Sequence, residues 1–353
     1  MRFPPLRAVL VMTLLAGPAV GQPPAAVLGD PAGLPAEAPR PPEARPTVGR
    51  EDVGALLGVG LLAARNGLPG YSATWFPSQR VARQATDLGL VRQELSLFTP
   101  ILREGPDTAT LSASIRNSLF DTGAILPDAN RKFPGALWDI SLGVAHTHAF
   151  ENGWTGGIVV TAGSASDEPF KRSDVLNASL FGYMVVPAVG HDSWIFGLYY
   201  SPTADLPYPI PAIAYYWRPN ETFEASIGIP FVVKWKPWPD LMFDFFYFPL
   251  RTVRARATWE LQEGISTYAA FNWSNESYFL AERPNRGDRF FSYEKRLAAG
   301  LEFDLPWSLR LDIAAGYTFD RFYFQGRRYA DRERDRIDVG GGVFGAVQLR
   351  LRF

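Results

Sequence analysis

The sequence predicts an all-β chain, an antiparallel transmembrane β-barrel of about fourteen strands with a range of about twelve to sixteen, behind a disordered N-terminal tail. Three observations predict it. From residue 88 onward apolar residues recur with a period of two, the signature of strands with one apolar and one polar face. The last stretch, 336–353, is the cleanest case and stops on an aromatic residue, Phe353. The first 21 residues have the make-up of an export signal.

Composition narrows the class. The 353 residues carry a formal net charge of -1, which argues against a dedicated nucleic-acid binder. There is no cysteine, so disulfides, thiolate metal sites and cysteine nucleophiles are excluded. Aromatic residues reach 14%, yet no run beyond the N-terminus approaches the roughly 20 apolar residues of a spanning helix. A barrel reconciles these facts, because its apolar surface is spread over every second residue.

Four segments follow in order. Residues 1–21 read as a cleaved signal: Arg2 and Arg7 are its positive region, 8–16 its apolar core, and Ala19 and Gly21 the small residues before the cut. Residues 22–50 are dominated by Pro and Ala and predict a disordered tail. Residues 51–86 are open between a helix, a plug and an extra strand. Residues 87–353 form the expected barrel.

Within the barrel, Leu111, Ala113, Ile115 and Leu119 alternate with Thr110, Ser112, Ser114 and Arg116. In the final stretch Ile337, Val339, Val343, Val347, Leu349 and Leu351 share the apolar face, opposite Arg336, Asp338, Gln348, Arg350 and Arg352. Trp138, Trp154, Trp194, Trp259, Trp273 and Trp307 lie near strand ends, where interfacial girdles form. Short turns at 151–153, 262–264 and 305–307 are interleaved with long polar connections at 121–135, 276–288 and 325–335. That is the asymmetry of short periplasmic turns and longer outer loops. Prolines 230, 237, 239 and 249 break 213–254 into short pieces and leave the strand count there open.

The polar face supplies the candidate site. Arg254, Arg256, Glu260, Arg296, Glu302, Asp304, Arg310, Asp312, Arg350 and Arg352 all fall on lumen parity. They read either as a lumen that screens solutes by charge or as a cross-strand lattice of ion pairs that fills a closed barrel. No catalytic constellation is evident. Histidine occurs three times. His146 and His148 continue an outward face, and His191 falls in a short turn. No glycine–x–serine–x–glycine elbow occurs, and the serine-rich 163–170 stretch contains no histidine. The expectation is no enzyme, no metal and no cofactor.

The chain resembles bacterial outer-membrane β-barrels. More narrowly, 71–353 is similar to an uncharacterised, porin-like family of exported barrels. Thr86-Asp87-Leu88-Gly89, Arg116-Asn117-Ser118-Leu119-Phe120, the 163–170 loop, the 289–296 run from Arg289 to Arg296, and Asp320-Arg321-Phe322-Tyr323-Phe324 carry that similarity. The resemblance implies an outer-membrane location and Phe353 as the assembly signal. It also implies membrane lipid and the barrel-assembly machinery as partners. It transfers no activity. The expected function is a porin-like channel or transporter for small solutes. The alternative is a structural or binding barrel with a filled lumen that acts through its outer loops.

Overall fold

The computed structural model describes residues 69–202, 208–249, 252–283 and 285–351. The expected signal (1–21), the Pro/Ala-rich tail (22–50), residues 51–68, Arg352 and Phe353 lie outside the described residues. The strands are β1 (Gly70–Arg80), β2 (Asp87–Glu104), β3 (Asp107–Thr122), then a small hairpin of β4 (Ile125–Leu126) and β5 (Arg131–Lys132). They continue as β6 (Ala136–Ala149), β7 (Thr155–Ser166), β8 (Leu176–Pro187), β9 (Ser193–Tyr200) and β10 (Ile210–Asn220). Next come β11 (Phe223–Gly228), β12 (Phe231–Trp238), β13 (Leu241–Phe248), β14 (Thr252–Gln262) and β15 (Ile265–Tyr278). The last are β16 (Arg289–Leu305), β17 (Leu309–Gly326), β18 (Ile337–Val339) and β19 (Gly342–Leu351).

Neighbouring strands pair antiparallel, and the sheet closes because β1 pairs with β2 on one side and β19 on the other. The sheet has 17 strands, but β18 and β19 both follow β17 in one register and form a single stave broken at Gly340 and Gly341. The barrel therefore has sixteen staves, above the expected fourteen and at the top of the expected range. The difference has two sources. The 70–80 part of the undecided segment is a strand, so the barrel begins before residue 87. The proline-rich region yields four strands, β10–β13, the last three only six to eight residues long, because Pro230 and Pro239 sit in hairpin turns rather than in the ladder.

Both Gly70 and Leu351 lie at one end of the barrel, here the terminal end. Connections at that end are short: 105–106, 150–154, 188–192, 221–222, 239–240, 263–264 and 306–308. Long connections, 123–135, 167–175, 279–288 and 327–336, lie at the opposite, loop end. Trp154, Trp194, Trp259 and Trp307 stand exposed close to the terminal end, as a girdle requires, whereas Trp138 and Trp273 are half-buried nearer the loop end. Leu142, Val144, Ile313, Val343 and Val347 are exposed on the outer surface, while Ser112, Ser114 and Thr318 are buried on the lumen side.

One stretch departs from the sequence reading. Ile337 and Val339 share parity with the lipid-facing Val343 and Val347, yet they are buried against the lumen core. The cause is a phase shift. Asp320 adds one residue to β17 relative to β16, with a φ of 50, and Gly340–Gly341 interrupt the facing stave. A bulge reverses which residues face inward. The left-handed backbone at Asp320 is held by an ion pair from Lys295 Nζ at 2.6 Å.

Inside the lumen, large rings lie on glycines. A Cβ at Gly300 would stand 2.7 Å from the Tyr268 ring, whereas one at Gly345 would meet nothing. Gly300→Val therefore displaces Tyr268 and lowers stability by about 1–3 kcal/mol, the usual cost of overpacking. Gly345→Ala leaves it unchanged. Urea unfolding in lipid vesicles followed by tryptophan fluorescence checks the pair.

Candidate functional site

The lumen is filled differently at each level. At the loop end it is apolar. Phe76, Leu88, Leu90, Phe290, Tyr323, Ile337 and Phe344 from the walls pack around Leu126 and Phe133 of the 123–135 connection. The Phe133 ring meets Tyr323 at 5.1 Å and Phe290 at 5.4 Å, both edge-on. Two clamps hold this β4–β5 hairpin in the mouth. Gln84 exchanges two hydrogen bonds with the Ile125 backbone, at 2.8 and 2.9 Å. The Asp335 carboxylate accepts from the Asp128 and Ala129 amides at 2.8 Å each, and the Asp335 amide donates to Asp128 Oδ2 at 2.7 Å.

A clasp divides the same mouth. Strands β7 and β15 lie half-way round the sheet from each other. Their loop ends nevertheless meet: Ser166 and Phe279 form a bridge, and the Phe279 amide donates to the Ala165 carbonyl at 2.8 Å. The Asp167 carboxylate accepts from the Ala281 amide at 2.8 Å, and Arg283 donates to the Asp174 carbonyl at 2.8 Å. The serine-rich 163–170 stretch is thus a structural joint. On its surface Lys171, 2.7 Å from Glu168, is held above its ordinary pKa by that carboxylate. The clasp separates a tall lobe, walled by β16–β19, β1–β3 and β6, from a short lobe walled by β8–β14.

Below the apolar plug, ion pairs cross the tall lobe. Arg92 on β2 meets Glu294 on β16 at 2.6 Å, although β17, β19 and β1 stand between those strands. Arg116 on β3 meets Glu276 on β15 at 2.8 Å and its neighbour Glu94 at 3.3 Å. Arg296 closes on Glu294 at 3.4 Å. The Tyr278 hydroxyl donates to Glu276 at 2.9 Å. Nearer the terminal end a second network joins Arg256, Arg310 and Arg350 to Glu302, Asp304 and Asp312. Arg256 is 2.9 Å from Glu302, Arg310 is 2.7 Å from Asp304, and Arg350 is 3.2 Å from Asp312 and also bonded to Glu302. Tyr268 donates to Asp312 at 2.8 Å and lies under the Arg256 guanidinium, 3.5 Å from ring centroid to carbon.

Six of the residues expected on the lumen face, Arg256, Glu302, Asp304, Arg310, Asp312 and Arg350, therefore form one network. Arg296 belongs to the other. Arg254 lines a cavity without an ion pair, and Glu260 stands exposed at the terminal end. Arg352 and Phe353 lie outside the described residues. His146 and His148 both bond Asp107 Oδ1, at 3.0 and 2.9 Å, half-exposed beside the β2–β3 turn. Among the described residues no group of three or more His, Asp or Glu side chains could hold a metal.

The sequence reading left Arg92, Glu94, Glu276 and Glu294 out of the site, although each is on lumen parity. Leu88 and Leu90 share the face of Arg92, which hides the alternation at the sequence level. It also left out Glu224, Lys234 and Asp244 on the short wall, which with the expected Arg256 are successive register partners on β11 to β14 with alternating sign. Lys234, Asp244 and Arg256 of that row, with Val232, Met242, Phe246 and Arg254, border a cavity of about 610 Å³.

The closed sheet, its lipid-facing apolar belt and its charged lumen define the class of bacterial outer-membrane β-barrels. The chain belongs to the family described as Domain of unknown function (DUF6268), which matches residues 127–349. Its structure is similar to the β domain of the Bordetella autotransporter BrkA, at 11% identity and a TM-score of 0.31, covering 81% of this chain and 99% of that one. It is also similar to the COG4313 outer membrane channel from Pseudomonas putida F1, at 9% identity and a TM-score of 0.33, covering 81% and 96%. The translocator domain of the autotransporter NalP from Neisseria meningitidis aligns at 11% identity with a TM-score of 0.28, covering 86% and 98%. No curated protein matches.

Glu294 is the acceptor that both Arg92 and Arg296 depend on. Glu294→Gln leaves Arg92 buried without a counter-charge and costs about 3–5 kcal/mol. The double change Arg92→Met with Glu294→Leu recovers most of that loss, because breaking a buried pair is worse than replacing both partners. Chemical unfolding of the three proteins in lipid vesicles checks the order.

Proposed function

We propose that the chain is an exported outer-membrane barrel that passes small solutes through one half of its lumen. In this reading the terminal end faces the periplasm, the loop end faces outward, and the barrel is not an enzyme. The barrel-assembly machinery is its folding partner. The observation that carries the passage is the cavity beside the short wall. Strands β11 to β13 are only six to eight residues long. The cavity lining runs from Pro239 and Asp240 in the terminal-end turn to Val232 and Phe246 near the loop-end turns. It therefore follows the short wall over most of its height. Charges of both signs line it, which suits polar solutes without strong exclusion of either sign.

A second reading, a filled barrel that works through its loops, draws support from the hairpin plug and the cross-lumen ion pairs. Neither the plug nor the Arg92–Glu294 and Arg116–Glu276 pairs line the cavity beside the short wall. Planar-bilayer recording on the refolded mature protein separates the readings. The expected result is a small, steady conductance that Met242→Trp, which adds bulk to the cavity wall, cuts roughly by half or more. Inserted, heat-modifiable protein that carries no current and supports no liposome swelling would sink the passage and favour the loops.

A further inference from the structure

Arg254 is unlike the other arginines that line the short-wall cavity. Arg256, Arg310 and Arg350 are each held by Glu302, Asp304 or Asp312. Arg254 forms no ion pair with any described carboxylate, and its side chain is exposed although it points into the lumen. The ring nearest its guanidinium is Phe246, at 6.0 Å. In register it continues into Asn272 on β15 and Arg296 on β16. Asn272 Oδ1 is buried and has no hydrogen-bond partner. Arg254 thus stands on the lumen face in line with Asn272 and with Arg296, and of the two arginines Arg296 is held by Glu294.

The surroundings of Arg254 are also unusual. Val232 and Phe246 are register partners on β12 and β13, and Phe246 pairs with Arg254. Met242, on the same lumen parity, is 39% exposed. Three apolar side chains therefore line the cavity beside the Arg254 guanidinium. Each is available to a ligand. A guanidinium with five donors and no partner recognises a carboxylate, often in bidentate form. An inorganic anion has no use for the apolar strip, and an organic cation is repelled by Arg254. A volume of about 610 Å³ suits one small molecule.

We propose that this end of the cavity binds one small organic monocarboxylate, its carboxylate on Arg254 and its apolar body along Val232, Met242 and Phe246. The inference rests on the short lobe being the solute path and names the solute class for it.

Isothermal titration of the refolded mature protein in non-ionic micelles tests it, with benzoate, acetate and benzylammonium as probes. Benzoate binds, acetate binds at least about tenfold more weakly for lack of an apolar body, and benzylammonium does not bind. Arg254→Gln weakens benzoate by about tenfold or more, Arg254→Lys by less, and Phe246→Ala by about threefold to tenfold. Heat-modifiable gel mobility confirms that each variant is folded. Benzoate affinity unchanged by Arg254→Gln, equal binding of benzylammonium, or no benzoate binding by folded protein each overturns the proposal. Conductance without benzoate binding removes only the carboxylate site. Binding without conductance keeps the site and removes only the passage.

Discussion

Closing sixteen strands into one sheet encloses more space than single side chains from the wall can fill. The rest of the structure follows from how that space is occupied. At the loop end an internal hairpin brings Leu126 and Phe133 into the mouth and makes an ordinary apolar core. Below it, arginine paired with glutamate reaches across to strands several positions away. Beside the short wall, which the hairpin does not reach, a cavity of about 610 Å³ remains, bordered on one side by the Arg256–Glu302–Arg350 network.

The cross-lumen ion pairs are better understood as devices of shape than of stability. Two desolvated charges recover little net energy from meeting each other. Their geometry is nevertheless demanding: Arg116 serves Glu94 on its own neighbour and Glu276 across the lumen at once. Such a constraint fixes how far β3 stands from β15. Together with the β7–β15 clasp, it draws opposite walls together and gives the lumen two lobes instead of one round bore.

Much of this was legible in the sequence, and the parts that were not have physical causes. Period two exposed the lumen face of β14, β16, β17 and β19, because the terminal-end halves of those strands alternate without interruption. Arg254 to Arg350 were found that way. The row Glu224–Lys234–Asp244 was hidden because its strands are six to eight residues long and carry prolines in their turns. Too few alternations accumulate there to stand out. Partners across the lumen were beyond reach altogether, since parity says which side chains point inward but not which of them meet. Ile337 and Val339 were placed on the wrong face because one extra residue at Asp320 is invisible to a count by twos.

The bulge at Asp320 also explains why the rules of the barrel change along its height. From Leu309 to Phe319, before the bulge at Asp320, the strand offers about eleven residues, the length a tilted strand needs to cross the hydrocarbon core. Over that span the outside is apolar, with Ile313 and Tyr317 exposed, and the inside carries Arg310, Asp312 and Thr318. Beyond it, β16 and β17 continue for several residues past the height of β11–β13. There the inside becomes apolar, with Phe290 and Tyr323 at 0% exposure. The outer face is aromatic but covered: Phe291 stacks on Phe324 at 4.5 Å, Tyr329 of the 327–336 loop packs on Phe324, and Arg336 lies over Phe322 at 4.0 Å. A sheet with an apolar interior and a screened exterior is what water demands, whereas apolar outside and polar inside is what lipid demands. The tall wall obeys the second rule up to Asp320 and the first above it. The short wall ends near that level and so never builds the upper core, and for that reason the plug closes one lobe and spares the other.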